Sequence, residues 1–383
     1  MCNFALSTQR AALCSIYITK VAENFRRNIH LTEVKKQSIV DNLTQLGRFF
    51  ELSLDNEAKS EVEALNPLLK KSRELIDTAY QKNSWFTPEA VQISYSAWAK
   101  SLSKDAVENW LGNYELKENS HPKKVGVIMA GNIPMVGMHD ALSVLVSGNI
   151  LHAKLSSKDE DLMALVLDAL SAIDNEWANR IHRVDQMKEA DVFIATGNDN
   201  SARYFEYYFR DKPKIIRKNR TALAILSNDA PEAEIEKLAD DVFTYFGLGC
   251  RNVTKVYIPQ DFDLDRLFKA FYKYKDVVQH NQYANNYDYN KAVYLMTQVE
   301  LVENGFLLLK EDEGIHSPLG VLFYERYNEL KDVEKKLKSL EDEIQVVVSD
   351  FEHPEFENLG KAQQPELWDY ADGVDTLRFL LEA

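Results

Sequence analysis

The sequence predicts an α/β protein in which a helical region precedes two α/β units. Between Val125 and Ile216, short apolar segments alternate with amphipathic segments of helical length. Such alternation is typical of a doubly wound, Rossmann-type parallel sheet with helices on both faces. A second alternation begins at Thr221, and the residues before about 118 have helical periodicity almost throughout. We therefore expect a helical region over 1–118, a cofactor-binding unit over 119–220, a second α/β unit over 221–350 and a tail over 351–383 that packs back on the core.

Composition and charge exclude several classes of function. The 383 residues carry a net charge of −15, whereas nucleic acids and anionic membranes need a basic face on their partner. No apolar run reaches the length of a membrane span, and the N-terminus lacks the pattern of a signal peptide. The cysteines Cys2, Cys14 and Cys250 cannot form a disulfide framework, which fits a reducing compartment. The chain is expected to be cytoplasmic, without nucleic acid or an integral membrane segment.

The first unit begins after a polar linker at 113–124. Its predicted strands occupy 125–130, 150–155, 181–184, 191–195 and 214–216, and its predicted helices occupy 135–146, 158–173 and 200–209. Two Gly-Asn turns, at 131–132 and 197–198, each follow a predicted strand. Because ligands bind parallel sheets at the carboxyl ends of the strands, both turns are expected on the ligand-binding edge.

The second unit carries Cys250 between a predicted helix and a predicted strand. Its predicted strands occupy 221–226, 253–258, 305–310, 320–324 and 344–348, its predicted helices occupy 230–246 and 329–340, and the polar-aromatic segment 283–290 is predicted to be a loop. Gly247 and Gly249 hold the junction at Cys250 open, so its thiol can approach a ligand. The neighbouring Arg251 is expected to lower the pKa of that thiol and favour the nucleophilic thiolate. The alternative is a small buried cysteine with no chemical role.

Other common signals of a site are absent from the sequence. It contains neither standard glycine-rich phosphate loop, and its eight histidines are scattered without the spacing of metal ligands. His139 is interpreted as a polar helix residue, and His316 lies in a predicted loop. No metal site is therefore expected.

The residues that remain suit acyl transfer through a thiol. This chemistry needs a nucleophile and hydrogen-bond donors for the developing oxyanion. Cys250 supplies the nucleophile, and its own backbone N–H and the side-chain amide of Asn132 supply two donors. A nicotinamide would then deliver hydride to the acylated sulfur. Lys154, near a strand end, either faces the ribose or phosphate of that cofactor or is an ordinary solvated lysine.

Four segments, taken in order, resemble the aldehyde dehydrogenase superfamily, and within it the acyl-CoA reductase family that supplies aldehyde to bacterial luciferase. The segments are Gly131-Asn132-Ile133-Pro134, Lys154-Leu155-Ser156-Ser157, Ala195-Thr196-Gly197-Asn198-Asp199 and Gly249-Cys250-Arg251-Asn252-Val253. The resemblance extends from about residue 83 to the end of the chain. It implies an aldehyde dehydrogenase-like fold, with the first unit as cofactor domain and the second as catalytic domain.

The resemblance also implies roles for individual residues. Cys250 is similar to the family's nucleophile, and Asn132 to the asparagine of its oxyanion hole. The expected cofactor-binding residues are Lys154, Ser156, Ser157, Thr196, Gly197 and Asn198. Lys154 resembles the lysine that contacts the adenosine ribose, and Gly197 resembles the glycine next to the nicotinamide half.

One departure from the superfamily bears on the reaction. Hydrolytic members carry a glutamate about 33 residues before the cysteine, where this chain has Arg217 and its neighbours Lys218 and Asn219. Without that base, water attacks a thioester slowly. The resemblance therefore implies an NADPH-dependent reductase of acyl-CoA, with NADH as an alternative cofactor. The glutamate that holds the nicotinamide ribose is also not matched, since Ser317-Pro318-Leu319-Gly320 lacks an acid there.

Two other functions stay open at this stage. Relatives that reduce acyl phosphates also lack the hydrolytic base. A non-catalytic subunit that binds acyl chains or a partner through the helical region is the second alternative. Members of the superfamily form oligomers through a β arm, which leaves a homo-oligomer open, although the sequence identifies no such arm.

Overall fold

The computed structural model describes residues 33–116, 119–187, 189–197 and 199–383. Its N-terminal part is helical, with α1 at residues 33–53, α2 at Asn66–Thr78, α3 at Pro88–Ser101 and α4 at Lys104–Gly112. Helix α3 begins as the sequence predicts, because Pro88 occupies its first turn and the Thr87 hydroxyl accepts the Ala90 N–H. The apolar faces of these helices join one core with the first sheet.

The first sheet has five parallel strands in the order β3-β2-β1-β4-β5. The strands are β1 (Lys124–Ile128), β2 (Ile150–Lys154), β3 (Ile181–Arg183), β4 (Val192–Thr196) and β5 (Lys214–Arg217). The helices of this unit are α5 (Met138–Val146), α6 (Glu160–Ile173), α7 (Asn175–Ala178) and α8 (Asp199–Tyr208). Strand β1 lies between β2 and β4, so the three carboxyl ends are adjacent. Strands β2 and β3 follow on one side of β1, and β4 and β5 lie on its other side. Parallel sheets bind ligands at such a switch point in strand order.

The second sheet has seven strands in the order β12-β11-β6-β7-β10-β9-β8. The strands are β6 (Thr221–Ile225), β7 (Val253–Pro259), β8 (Val302–Glu303), β9 (Leu308–Glu311), β10 (Val321–Tyr327), β11 (Ile344–Ser349) and β12 (Glu357–Asn358). The helices are α9 (Glu232–Phe243), α10 (Asp265–Phe271), α11 (Asn281–Met296) and α12 (Leu330–Ser339). All strand pairs are parallel except β8 with β9. Helix α9 leads directly into the turn before β7 that carries Cys250.

The last residues of the chain contact the first unit. Helix α13 (Thr376–Glu382) packs against α5, and the Trp110 indole donates a hydrogen bond of 2.8 Å to the Tyr370 hydroxyl. Leu377 and Leu380 belong to the same core as the N-terminal helices. The division of the chain at 118, 220 and 350 stays a prediction.

Two predicted helix boundaries and one predicted loop are wrong. Helix α5 begins at Met138 rather than Met135, because Met135 has a left-handed φ of 57° that no α-helix accommodates. Helix α9 ends at Phe243 rather than Phe246, because Tyr245 and Phe246 also have left-handed backbone. The segment 283–290 is helical and forms part of α11, because Tyr283, Tyr287 and Asn290 are buried at helical spacing.

Helices of the described residues are too short or too polar to cross a bilayer: none combines the length and the apolar character that a span requires.

Candidate active site

Cys250 lies in a turn whose backbone is left-handed over three successive residues. Tyr245, Phe246 and Gly247 have φ angles of 53°, 60° and 82°. Left-handed backbone costs roughly 1–2 kcal/mol at each residue with a side chain, so the surrounding structure must impose this turn. The Phe246 ring packs against Trp85 and His280, at centroid distances of 5.3 and 4.5 Å, and those two rings stack on each other at 4.7 Å. The N-terminal region and α11 thus contribute to the shape of the cysteine turn.

Asn252 ties this turn to the end of α9. Its side chain is fully buried, and its Oδ1 accepts the Gly249 N–H at 2.7 Å. Its Nδ2 donates to the carbonyl oxygens of Asp241, Val242 and Thr244 at 3.2, 3.3 and 2.7 Å. One side chain therefore satisfies the unpaired carbonyls at the helix terminus and fixes the residue before Cys250.

Asn132 contacts the same turn from the first unit. Its Nδ2 donates a hydrogen bond of 2.8 Å to the Leu248 carbonyl oxygen, and its side chain is exposed. An amide nitrogen has two N–H donors, so the second one can serve an oxyanion beside Cys250. Asp159 holds the turn that carries Asn132, because its Oδ2 accepts the Met135 N–H at 2.8 Å. The structure thus brings together the two residues predicted to be catalytic.

The electrostatic surroundings of Cys250 differ from the prediction. The side chain is accessible to solvent, yet closely packed protein surrounds it, and this loss of hydration raises the pKa of the thiol above its ordinary value. Arg251 and Arg217 both lower the pKa of the thiol, while Asp372 raises it. Arg251 thus lowers the pKa of the thiol as expected, but the loss of hydration outweighs it, and the net shift is upward.

Arg217 occupies the end of β5, where hydrolytic aldehyde dehydrogenases are expected to have their glutamate. Its side chain is buried and pairs with Asp140, with Nη2 2.6 Å from Oδ1. Nη1 donates to the Ala371 carbonyl oxygen at 2.7 Å, and Nη2 donates to Thr376 Oγ1 at 2.9 Å. A cation committed to these contacts cannot act as the base that activates water.

The predicted cofactor-binding residues lie on one edge of the first sheet. Lys154 ends β2, and Thr196 and Gly197 lie at the end of β4, on either side of the turn that follows β1. Gly131 in that turn lies so close to Ser156 that a Cβ atom would be 2.5 Å from its Oγ. Ser157 is exposed beside it, and Asn198 lies outside the described residues.

This edge fits a nicotinamide dinucleotide. Lys154 is exposed and forms no ion pair within the described parts of the chain, so its charge is available to a ribose or phosphate group. Gly197 approaches α8 closely, since a Cβ atom there would be 2.8 Å from the Ser201 Cβ. The N-terminus of α8 thereby follows directly on the end of β4, the arrangement that favours a phosphate group.

A pocket of about 750 Å³ opens beside the cysteine turn. Arg251 lines it together with the segment after α4, with β11 and with the tail. Its charged lining comprises Arg251, Arg378, Glu355, Glu357, Asp369 and Asp375. Four carboxylates face two guanidinium groups, so the pocket disfavours a highly anionic ligand.

The two histidines considered from the sequence have contacts away from the Cys250 thiol. His139 is packed between Trp110 and Tyr370, and its Nε2 donates to the Leu367 carbonyl oxygen at 2.8 Å. His316 is exposed and lies 3.4 Å from Glu343. The segment 317–320 lines a cavity of about 70 Å³ against Phe246 and Gly247, beside the cysteine turn.

No group of metal-binding side chains occurs in the described portion of the chain. Cys2 and Cys14 lie outside that portion.

Two residues of the site were missed by the sequence interpretation. Asn252 is part of the motif around Cys250, and its position two residues after the cysteine was the available signal. Asp372 reaches the site from the tail, 122 positions away, and no local pattern marks it. The end of β5 therefore lacks the glutamate of hydrolytic members, but a carboxyl group from the tail contributes to the electrostatic surroundings of Cys250.

Comparisons with known proteins relate the chain to a family of reductases. A family model described as Acyl-CoA reductase (LuxC) matches residues 34–267. Long-chain acyl-protein thioester reductase 2 of Photobacterium leiognathi is 25% identical over 245 residues, which cover 55% of this chain and 50% of that protein. Long-chain acyl-protein thioester reductase of Aliivibrio fischeri is 24% identical over 232 residues, which cover 54% of this chain and 47% of that protein. The chain matches about half the length of these relatives.

Solved structures show the fold. An NADP-dependent enzyme of E. coli superposes with a TM-score of 0.58 at 12% identity, covering 85% of this chain and 79% of that one. Aldehyde dehydrogenase 21 of Physcomitrella patens, crystallised with succinate, gives a TM-score of 0.56 at 12% identity, with coverage of 84% and 77%. An aldehyde dehydrogenase of Mycobacterium tuberculosis in complex with NAD+ gives a TM-score of 0.55 at 14% identity, covering 80% of this chain and 73% of that one. The predicted aldehyde dehydrogenase-like fold is confirmed.

Proposed function

Because the chain belongs to the acyl-CoA reductase (LuxC) family, we propose that it reduces a thioester-bound acyl group to an aldehyde through a covalent cysteine intermediate. The observation that carries the proposal is the contact between Asn132 and the Cys250 turn. The contact supports an amide donor in the turn that carries the thiol, while the end of β5 has Arg217 rather than a hydrolytic base. These groups suit acyl transfer followed by reduction rather than by hydrolysis.

In the first half of the reaction, Cys250 Sγ attacks the thioester carbonyl carbon. The free N–H of the Asn132 amide and the backbone N–H of Cys250 stabilise the oxyanion that develops. The C–S bond to the donor thiol breaks, and the acyl group stays on Cys250. The residue at the end of β5 does not activate water for attack on the acyl-cysteine, because the buried Arg217 has no proton-accepting atom.

A bound reduced nicotinamide supplies the hydride of the second half. Lys154, Ser156 and Ser157 are proposed to hold its adenosine end, and Thr196 and Gly197 its nicotinamide half. Asn198, which lies outside the described residues, is proposed to contact the cofactor too. The exposed Lys154 and its neighbour Lys158 favour NADPH, whose extra phosphate they can contact, over NADH. During this step Asn132 again stabilises the oxygen of the tetrahedral intermediate, and its collapse releases aldehyde and regenerates Cys250.

The donor of the acyl group is either acyl-CoA or an acylated protein. The sequence resemblance implies acyl-CoA, whereas the curated relatives are named acyl-protein thioester reductases. The acidic lining of the pocket beside Arg251 disfavours the phosphate groups of coenzyme A there. A neutral thioester is therefore expected to react at least as well as acyl-CoA.

An assay with three donors tests the function. The purified chain is incubated with NADPH or NADH and with acyl-CoA, an acyl phosphate or an S-acyl-N-acetylcysteamine, and the aldehyde is quantified. We expect aldehyde from the thioesters in wild type and none in Cys250→Ala. Aldehyde from the acyl phosphate alone would identify an acyl-phosphate reductase. No aldehyde from any donor, with no nicotinamide binding by calorimetry, would favour a non-catalytic subunit.

A further inference from the structure

One peptide group in the turn that carries Asn132 is held at both ends by buried side chains. The Pro134 carbonyl oxygen accepts a hydrogen bond of 3.2 Å from Ser94 Oγ, and the Met135 N–H donates one of 2.8 Å to Asp159 Oδ2. Ser94 and Asp159 are only 3% and 2% exposed. Because a peptide group is planar, these two contacts together fix the orientation of the whole group.

The backbone of this turn needs support from outside. Met135 has a φ of 57°, in the left-handed region that residues with a side chain avoid. Rotation of the peptide group before Met135 would change this φ angle and let the residue return to more common backbone. Ser94 and Asp159 oppose the rotation, because each side chain would lose its hydrogen bond. The shape of the Asn132 turn therefore depends on two side chains that lie outside it.

The contacts of Asp159 are unusual for its position in the chain. It is the N-cap residue of α6, where an aspartate commonly accepts an N–H of its own helix, but its side chain forms no such bond. Its Oδ1 has no hydrogen-bond partner among the residues that the structure describes. Burial raises the pKa of this carboxyl well above its ordinary value, which favours the neutral acid. The bond to the Met135 N–H is thus the contact that this buried group makes.

The held peptide group lies two residues after Asn132, whose amide donates to the cysteine turn. Ser94 belongs to α3 and Asp159 precedes α6, so two separate elements meet at this turn. We propose that Ser94 and Asp159 are positioning residues: by fixing this peptide group, they keep the Asn132 amide aligned with the turn that carries the nucleophile. The proposal rests on the proposed function, because it concerns the oxyanion donor of that reaction. It also gives the N-terminal helices a part in the site.

A positioning role has two consequences that a general loss of stability does not have. The thiol of Cys250 is untouched, so its alkylation should keep the wild-type rate while its acylation falls. The effect also runs through Asn132, so it should disappear in a chain that already lacks this amide. Loss of a merely structural contact would instead reduce acylation by the same factor with or without Asn132, as independent substitutions do.

The experiment is a double-mutant cycle in the full chain. Asp159→Ala and Ser94→Ala are each made in the wild-type chain and in Asn132→Ala. Acylation of Cys250 by S-acyl-N-acetylcysteamine is measured without nicotinamide by peptide mass spectrometry. Alkylation of Cys250 by iodoacetamide and the midpoint of urea unfolding are measured for every variant.

Ser72→Ala is the matched control for Ser94→Ala. Ser72 is a fully buried serine of the same N-terminal core, and its hydroxyl donates to the Tyr95 hydroxyl at 3.1 Å rather than to the Asn132 turn. Asp159→Asn is the conservative variant, because its side chain keeps an oxygen that accepts the Met135 N–H and matches the shape of the neutral acid.

In Asp159→Ala we expect acylation to fall about 100-fold, as when a catalytic group is misplaced by about 1 Å. Ser94→Ala should cause a smaller fall, and Asp159→Asn should retain most of the wild-type rate. In the Asn132→Ala chain, each further substitution should change acylation by less than about two-fold. Ser72→Ala should be acylated like wild type. If Asp159→Ala does not fold, Ser94→Ala carries the same test at the other end of the peptide group.

Three results would overturn the proposal: the same loss of acylation with and without Asn132, wild-type acylation in both Asp159→Ala and Ser94→Ala, or a loss in Asp159→Asn as large as that in Asp159→Ala. Any of them in a series whose wild-type chain is acylated would contradict the positioning role alone. A wild-type chain that is never acylated would contradict the proposed function itself. The two failures are therefore distinguishable.

Discussion

The side-chain amide of Asn132 donates a hydrogen bond of 2.8 Å to the carbonyl oxygen of Leu248, two residues before Cys250. This bond joins a turn of the first sheet to a turn of the second sheet across 116 positions of sequence. Both turns contain left-handed backbone: Met135 lies three residues after Asn132, and Tyr245 lies three residues before Leu248. The alignment of thiol and amide donor thus depends on contacts between the two halves of the site.

Substitution of Asn132 is expected to impair catalysis more than folding. Asn132→Ala should lower kcat/KM by about 10²–10³-fold, because an oxyanion loses one donor. Its side chain is exposed, so the midpoint of urea unfolding should change little. Asn132→Asp, which has the same shape without N–H donors, should show a loss at least as large. Asn132→Ala with wild-type kcat/KM would show that this amide does not contact the oxyanion.

Substitution of Asn252 is expected to impair the stability of the fold. Asn252→Ala removes four hydrogen bonds from a fully buried side chain. Buried backbone groups left without partners cost about 1–3 kcal/mol each, and relaxation recovers part of this, so we expect a loss of about 3 kcal/mol in unfolding free energy. Chemical denaturation measures it. Asn286→Ala, which removes one exposed amide contact, should change it by less than about 0.5 kcal/mol. Equal effects of the two substitutions would refute the role of Asn252.

The buried pair of Arg217 and Asp140 should behave as a unit. Arg217→Met leaves the Asp140 carboxylate buried without its partner, which is expected to cost about 3–5 kcal/mol of unfolding free energy. Asp140→Leu alone should destabilise by a similar amount, since Arg217 then lacks its counter-ion. The double variant should be more stable than the sum of the two losses implies. Additive losses in this double-mutant cycle would show that the pair is not energetically coupled.

Asp241 gives the stability of the fold a dependence on pH. Burial raises the pKa of this carboxyl from its ordinary value to about 7, although the N–H groups of Gly360 and Ala362 donate to it and lower the pKa. Because the folded pKa lies above the unfolded value, its stabilising contribution is fully present below pH 3.8 and is lost as pH rises through about 7.

The urea midpoint, measured from pH 5 to 8, tests this dependence. The wild-type midpoint relative to that of Asp241→Asn should fall across the range. A difference between the two proteins that stays constant with pH would contradict the assignment.

The sequence predicted most of the fold, because local periodicity determines it. The predicted strands lie within a few residues of observed ones, because runs such as 125–130 and 253–258 have the composition of buried strands. The two-residue strands β8 and β12 were not predicted. The errors at Met135 and at residues 245–247 have one cause: left-handed backbone ends or delays a helix, and tertiary contacts impose it. Tyr283 and Tyr287 were missed as a helix face because their polar neighbours concealed the spacing.

The site was predictable only in part. Cys250 and Asn132 stand in short motifs, so their residue types and surroundings identify them. Arg251 lowers the pKa of the Cys250 thiol as its adjacency in sequence predicts, whereas the loss of hydration that outweighs it arises from the folded chain. Arg217, Asp140 and Asp372 meet only after folding, and no local pattern in the sequence links a strand end to the tail.

The central claim is that Cys250 carries the acyl group, and direct detection of the acyl-enzyme tests it. The purified chain is incubated with an acyl thioester in the absence of reduced nicotinamide, digested and mapped by mass spectrometry. We predict one acyl group per chain on the peptide that contains Cys250, lost on addition of NADPH with release of a matching amount of aldehyde. An acyl group on Cys2 or Cys14 instead, or an unmodified Cys250 in a chain that still produces aldehyde, would contradict the account.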